Sequence, residues 1–199
     1  MPRIWAETIA VHRDTVREAI LDAAGALVAE HGLTAVTMSG VARLSGIGRA
    51  TLYKYYPDVE SVLTAWHDRQ VSAHLRHLAE IAERIDGAAT RLTAVLAAYA
   101  DLSGNHQHGG DVAALLHRGD HVARAHEVLH EFVAQLIRDA AGAGYVRGDV
   151  PARELAVYCL AALDAAGSLP TRTARDRLVD VTLAGLRATG EPGSPRHRG

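Results

Sequence analysis

Apolar residues recur at helical spacing along nearly the whole chain. From Arg13 onward, Val16, Ile20, Ala23, Ala24, Leu27 and Val28 keep to one face, a rhythm that predicts an amphipathic helix. His31-Gly32 ends it, the glycine being suited to the left-handed position just past a helix C-terminus. Ahead of it lies a lead-in, residues 1–11, in which Ile4, Trp5 and Ile9 either dock on the domain or extend the helix backwards. Met38, Val41 and Ala42 then fall at i, i+3 and i+4 and predict a short helix with one buried stripe, placed so that Thr37 caps it. Gly46 supplies the positive φ of a tight turn, and Ile47 plugs the angle between two helices. Leu52 and Tyr56 continue the buried stripe on a second short helix that Pro57 closes. The opposite face of that helix carries Arg49, Ala50, Tyr53 and Lys54.

Beyond Pro57 the same period continues. Asp58 is a good N-cap for a long helix from Val59 to about Ile85, broken at Asp86-Gly87. An Ala/Leu-rich helix follows over Ala88 to Leu102, then a loop, S-G-N-H-Q-H-G-G, at Ser103 to Gly110. Asp111 to His117 reads as a short helix and Asp120 to Ala141 as a longer one, with loop again from Gly142 to Asp149. Pro151 opens a helix running to about Ser168, since a missing N–H costs nothing there. A last helix covers Thr173 to Ala188, and the Pro/Gly-rich residues 190–199 read as a disordered tail. No strand signal or repeat appears. The fold class is all-α.

Composition sharpens this picture. The chain has 199 residues, 48% hydrophobic and only 5% aromatic, so its core leans on Ala, Leu and Val. A single cysteine, Cys159, excludes an internal disulfide and suits a reducing cytoplasm. No apolar run approaches the roughly 20 residues of a membrane span. Glu7, His12 and Arg13 interrupt any signal-peptide core, so the expected location is cytoplasmic. The net charge of −2 is not the basic balance of a nucleic-acid protein. Locally it is different: Arg43, Arg49 and Lys54 lie in a stretch with no Asp or Glu between His31 and Pro57. Lys54 is the chain's one lysine, which compositional bias toward arginine explains.

Two cations, a small residue and a phenol on one exposed face suit a helix lying in a DNA major groove. The hydrophobic spacing alone is not specific, because any αα-hairpin with a glycine turn satisfies it. The wider string is specific: R-E-A-I-L-D-A-A from Arg17, G-L-T-A-V-T from Gly32, and G-I-G-R-A-T-L-Y-K-Y-Y-P from Gly46. Together these closely resemble the TetR family of bacterial transcriptional regulators, over roughly the first third of the chain. Past about residue 65 only the helical character matches.

The resemblance implies a helix-turn-helix domain over residues 1–57 and a helical effector-binding and dimerisation domain over 58–189. It implies double-stranded operator DNA as partner, repression relieved by a small-molecule effector, a homodimer, and no cofactor or catalysis. The DNA-contacting set is Thr37, Ser39, Arg43, Gly48, Arg49, Ala50, Thr51, Tyr53, Lys54 and Tyr55. Within it Arg49 reads a base, Thr51 and Tyr55 hold phosphates, and Tyr53 touches backbone or a base methyl. Two positions depart from the family pattern: Gly48 replaces a common serine N-cap, and Val59 a frequent phosphate-binding lysine. A dimer built on the last two helices would use Val157, Leu160, Leu163, Leu178, Val181, Leu183 and Leu186, with Ala161, Ala165 and Gly185 letting backbones approach.

Remaining signals are weighed against plainer readings. The effector pocket is expected among Trp66, Tyr99, Leu116, His117, His121 and Tyr158, although large core-filling side chains produce the same pattern. The 12 histidines include the i, i+4 pairs His117/His121 and His126/His130, the spacing at which a helix offers two imidazoles to one metal. No cysteine or carboxylate pair joins them at ligand spacing, so solvated or pocket-lining histidines are the expectation and no metal is assigned. A helical metal-binding or enzymatic protein using this region is the alternative function. Cys159, mid-helix with no neighbouring cation, reads as buried and structural.

Overall fold

The computed structural model describes residues 3–105 and 120–187. Eight α-helices are described: α1 (Arg3–His31), α2 (Met38–Ser45), α3 (Arg49–Tyr55), α4 (Val59–Arg84), α5 (Ala88–Asn105), α6 (Asp120–Gly142), α7 (Ala152–Asp164) and α8 (Arg172–Leu186). Leu33–Ala35 and Ala165–Ser168 are short 3-10 turns. The β pairing found among the described residues is an isolated antiparallel bridge between Val146 and Arg187. The fold is all-α, and no described helix is long and apolar enough to cross a membrane.

These elements fall into two compact units. The first takes the chain to Ser72 and so includes the first half of α4, past residue 57. Its core draws a fully covered side chain from each of four helices: Ile20 from α1, Val41 from α2, Leu52 from α3 and Val62 from α4. The second unit starts at Ala73 and holds the rest of α4, α5, α6 from Ala123, α7 and α8. Leu78, Val95, Leu96, Ile137, Leu163 and Leu186 are its innermost side chains. The lead-in resolves as helix, α1 extending back to Arg3.

Helix ends follow the local chemistry. Gly32 and Gly46 take φ of 79° and 70°, which L side chains rarely adopt. Thr37 Oγ1 accepts from the Gly40 N–H at 3.1 Å, and Asp58 Oδ1 accepts from the Ser61 N–H and hydroxyl at 2.8 and 2.6 Å. Those hydrogen bonds hold the Asp58 carboxyl below its ordinary pKa.

Three sequence expectations are corrected. The loop expected from Ser103 begins later, because α5 runs on through Gly104 to Asn105. Gly104 is there for close packing: a Cβ would stand 2.6 Å from Arg175 Cδ. The segment from Ala152 expected as one helix to Ser168 ends as α-helix at Asp164 and tightens to 3-10, with Gly167 against the Ser103 carbonyl. Leu160, Leu163 and Leu186, expected on the dimer face, point into their own core. The helix expected at Asp111 to His117 and the tail at 190–199 lie outside the described residues.

Cys159 is fully covered, and burial pushes its thiol up to about 12. The unfolded chain therefore releases this proton first. Stability is fully present below about pH 9 and falls as pH rises from there to about 12, since the ionised thiolate is tolerated only when unfolded. Native protein at pH 8 is expected to resist a thiol-specific disulfide reagent, and denaturant should expose one reactive thiol. Rapid labelling of the native protein would contradict this burial.

Candidate DNA-binding surface

The α2–turn–α3 unit is built around what it buries. Met38, Val41 and Ala42 seat α2, and Leu52 is the fully covered side chain of α3. Ile47, Tyr55 and Tyr56 are partly buried against the same core. With that stripe inward, Arg49, Ala50, Thr51, Tyr53 and Lys54 stand exposed on α3, Tyr53 at 48%. Thr37, Ser39, Arg43 and Gly48 are exposed beside them. Tyr55 alone of the ten sequence-predicted residues is half-buried, and its ring packs on the core.

One contact on this surface had no signal in the sequence. Arg49 Nη2 donates to Ser39 Oγ at 2.7 Å, joining the first turn of α3 to the first turn of α2. That bond narrows the rotamers of a four-torsion side chain, so less entropy is lost when the guanidinium meets a partner. Gly48 gives α3 no side-chain cap, which leaves its first N–H groups free for an anion. A seven-residue helix has only a small dipole, so the charge on this face comes from Arg43, Arg49 and Lys54.

The long helix is tied to this unit by two devices. Arg69 Nη1 reaches Glu18 Oε2 at 2.6 Å and Asp22 Oδ1 at 2.9 Å, bracing α4 against α1. Trp66 packs closely on Gly25, where a Cβ would come within 2.7 Å of the indole nitrogen. Tyr56 sits beside this ion cluster; burial raises its phenol's pKa, and Arg17 and Arg69 oppose the rise. The first half of α4 is therefore packed as part of the first unit.

Of the six expected effector-facing residues, the structure describes the side chains of three, Trp66, Tyr99 and Tyr158. Trp66 packs in the first unit, whereas Tyr99 and Tyr158 belong to the second. Tyr99 donates its hydroxyl to Asp164 Oδ1 at 2.6 Å, and burial first, then that carboxylate, raise its pKa. Tyr158 is half exposed, its ring against Gly185. Leu116 and His117 lie outside the described residues, as does the side chain of His121. Of the other histidine pair, His130 Nδ1 lies 2.7 Å from the His126 carbonyl and is thereby occupied. Among the described residues no three His, Cys, Asp or Glu are grouped to hold a metal ion.

Known proteins agree with this architecture. The model for bacterial regulatory proteins of the tetR family matches residues 20–65, and that for the Transcriptional regulator SbtR-like C-terminal domain matches residues 59–188. The chain belongs to the TetR family. This TetR-family chain is 38% identical over 74 residues to MftR of Mycobacterium tuberculosis, whose name assigns it to the regulation of mycofactocin biosynthesis. It is 36% identical over 75 residues to the HTH-type transcriptional repressor LfrR of Mycolicibacterium smegmatis. Each match takes 37% of this chain, and they span 35% and 36% of those relatives. A regulator structure from Saccharomonospora viridis in complex with choline superposes with TM-score 0.73 at 20% identity, covering 86% of this chain and 96% of that one. At that identity it speaks for the fold.

Proposed function

We propose that this TetR-family chain is a cytoplasmic, homodimeric repressor that binds double-stranded operator DNA and is released by a small molecule. The observation that carries the reading is the exposed α3 face, with Arg49 held by Ser39 in a stretch free of acidic side chains. Arg49 reads a base edge, gripping guanine O6 and N7, while Lys54, Arg43, Thr37 and Thr51 meet phosphates. Tyr55, partly packed on the core, contributes at most its hydroxyl.

Release works through α4. Its first half is braced to α1 by Arg69 and Trp66, and its second half joins the effector domain core through Leu78. An effector that binds one arrangement of the second unit more tightly shifts the helix, by no more than its differential affinity allows. Tyr99 is one of the effector-facing groups, with Asp164 orienting its hydroxyl.

Arg49→Ala and Lys54→Ala separate the two kinds of contact. Against an operator selected from random duplex DNA, Arg49→Ala is expected to cost about 1–3 kcal/mol and relax the preference at one base pair. Lys54→Ala should weaken all sequences alike and lower the salt slope by about 1. Gel-shift titrations in which neither variant differs from wild type would reject this docking.

A further inference from the structure

One cavity of about 370 Å³ lies wholly within the second unit, at the start of α5 and the ends of α6 and α8. Neither Tyr99 nor Tyr158 lines it. Its floor is apolar, made by Leu92, Val146, Leu183 and Leu186. At its rim stand three exposed polar side chains, Thr93, Tyr145 and Arg187. Among the described residues lining it, Arg187 alone carries a charge, and no carboxylate faces that guanidinium from within the cavity.

The wall is built in advance of any ligand. Gly144, at φ 79°, turns the chain out of α6, with its N–H on the Ala141 carbonyl and the Tyr145 N–H on the Ala140 carbonyl. The Val146–Arg187 bridge then ties this turn to the end of α8, and the Arg147 N–H adds a bond of 2.9 Å to the Leu186 carbonyl. Arg147 itself is engaged by Asp149, at 2.7 Å through both Nε and Nη2, and does not compete for the cavity. A preformed, largely apolar hollow with few convergent polar groups is the usual form of a small-molecule site, of which about 300–1,000 Å³ is typical.

We infer that this cavity is a second small-molecule site, selective for a compact amphiphile with one anionic group. The apolar body lies on Leu92 and Leu183, and the anion meets Arg187 with hydroxyl support from Tyr145 or Thr93. A cation is disfavoured by the same guanidinium. The inference goes beyond the operator reading, since occupancy is a property of the second unit alone.

The test uses octanoate as probe and octanol as its uncharged counterpart, titrated calorimetrically into the full chain. One octanoate per chain is expected, bound more tightly than octanol. Arg187→Gln should weaken octanoate about tenfold, the worth of a charge-assisted hydrogen bond, and leave octanol unchanged. Thr93→Phe, at an exposed helix position and so harmless to folding, should fill the mouth and weaken both. No octanoate binding at millimolar concentration would overturn the site. So would binding indifferent to both substitutions, or equal loss of octanol in Arg187→Gln. A parallel gel shift with selected operator DNA keeps the two readings apart: octanoate binding without DNA release supports the cavity and leaves the repressor reading to its own test.

Discussion

Leu52→Ala is expected to lower the free energy of unfolding by about 2–5 kcal/mol, the range for truncating a buried leucine. Leu52 is the fully covered side chain of a helix only seven residues long, and α3 has no side-chain cap to hold its start. A helix this short has almost no stability of its own in water and exists because its buried face is docked. The cavity left by truncation opens in the core that Leu52 shares with Ile20, Val41 and Val62, all equally covered. In thermal melts the loss appears as a fall of roughly 4–20 °C, if the whole chain unfolds together. Leu52→Met, which conserves volume, should cost less than about 1.5 kcal/mol. DNA affinity should fall in Leu52→Ala even below the melting transition, because α3 no longer presents Arg49 and Lys54 in one orientation. A melt for Leu52→Ala within a degree of wild type would mean that Ile47 and Tyr56 carry α3 instead.

The first unit was largely legible because its determinants are local. Thr37, Gly46, Asp58 and the Met38–Val41–Ala42 spacing each act within four residues, and each sits as its chemistry requires. The outward face of α3 follows from the same arithmetic once Leu52 is inward. The Arg49–Ser39 bond was not legible, since ten residues separate its partners and only the angle between α2 and α3 brings them together.

The second unit is less legible in its sequence, for one recurring reason. Composition identifies which residues are apolar but not which neighbour each one faces. Gly104 looked like a breaker because in isolation glycine disfavours helix. Only the crossing of Arg175 shows why it stands inside one. Leu160, Leu163 and Leu186 looked like surplus surface because the depth of their own core depends on α5 and α6. The cavity beside Arg187 draws on three helix ends far apart in sequence, and no spacing rule reaches that far.

What the corrected core leaves outside is a narrower face, and Val181→Asp tests it. With the leucines turned inward, Val157, Tyr158 and Val181 remain exposed on α7 and α8, Val181 at 66%. Ala161, Ala165, Ala184 and Gly185 lie exposed around them, small enough for another helix pair to approach closely. An exposed valine contributes little to its own chain's stability, so the aspartate should leave the monomer fold within about 0.5 kcal/mol. In a two-fold dimer on this face the same change places two carboxylates in a dry contact, each costing several kcal/mol when unpaired. Dissociation should then strengthen by about a hundredfold or more, since every 1.4 kcal/mol is tenfold. Sedimentation at micromolar concentration should show a dimer for wild type and a monomer for Val181→Asp, with the helical circular dichroism signal preserved. Operator affinity should fall with it, because a monomer engages one half-site where the dimer engages two. A Val181→Asp protein that still sediments as a dimer would place the interface elsewhere, and Arg177→Glu on the same helix would then be equally silent.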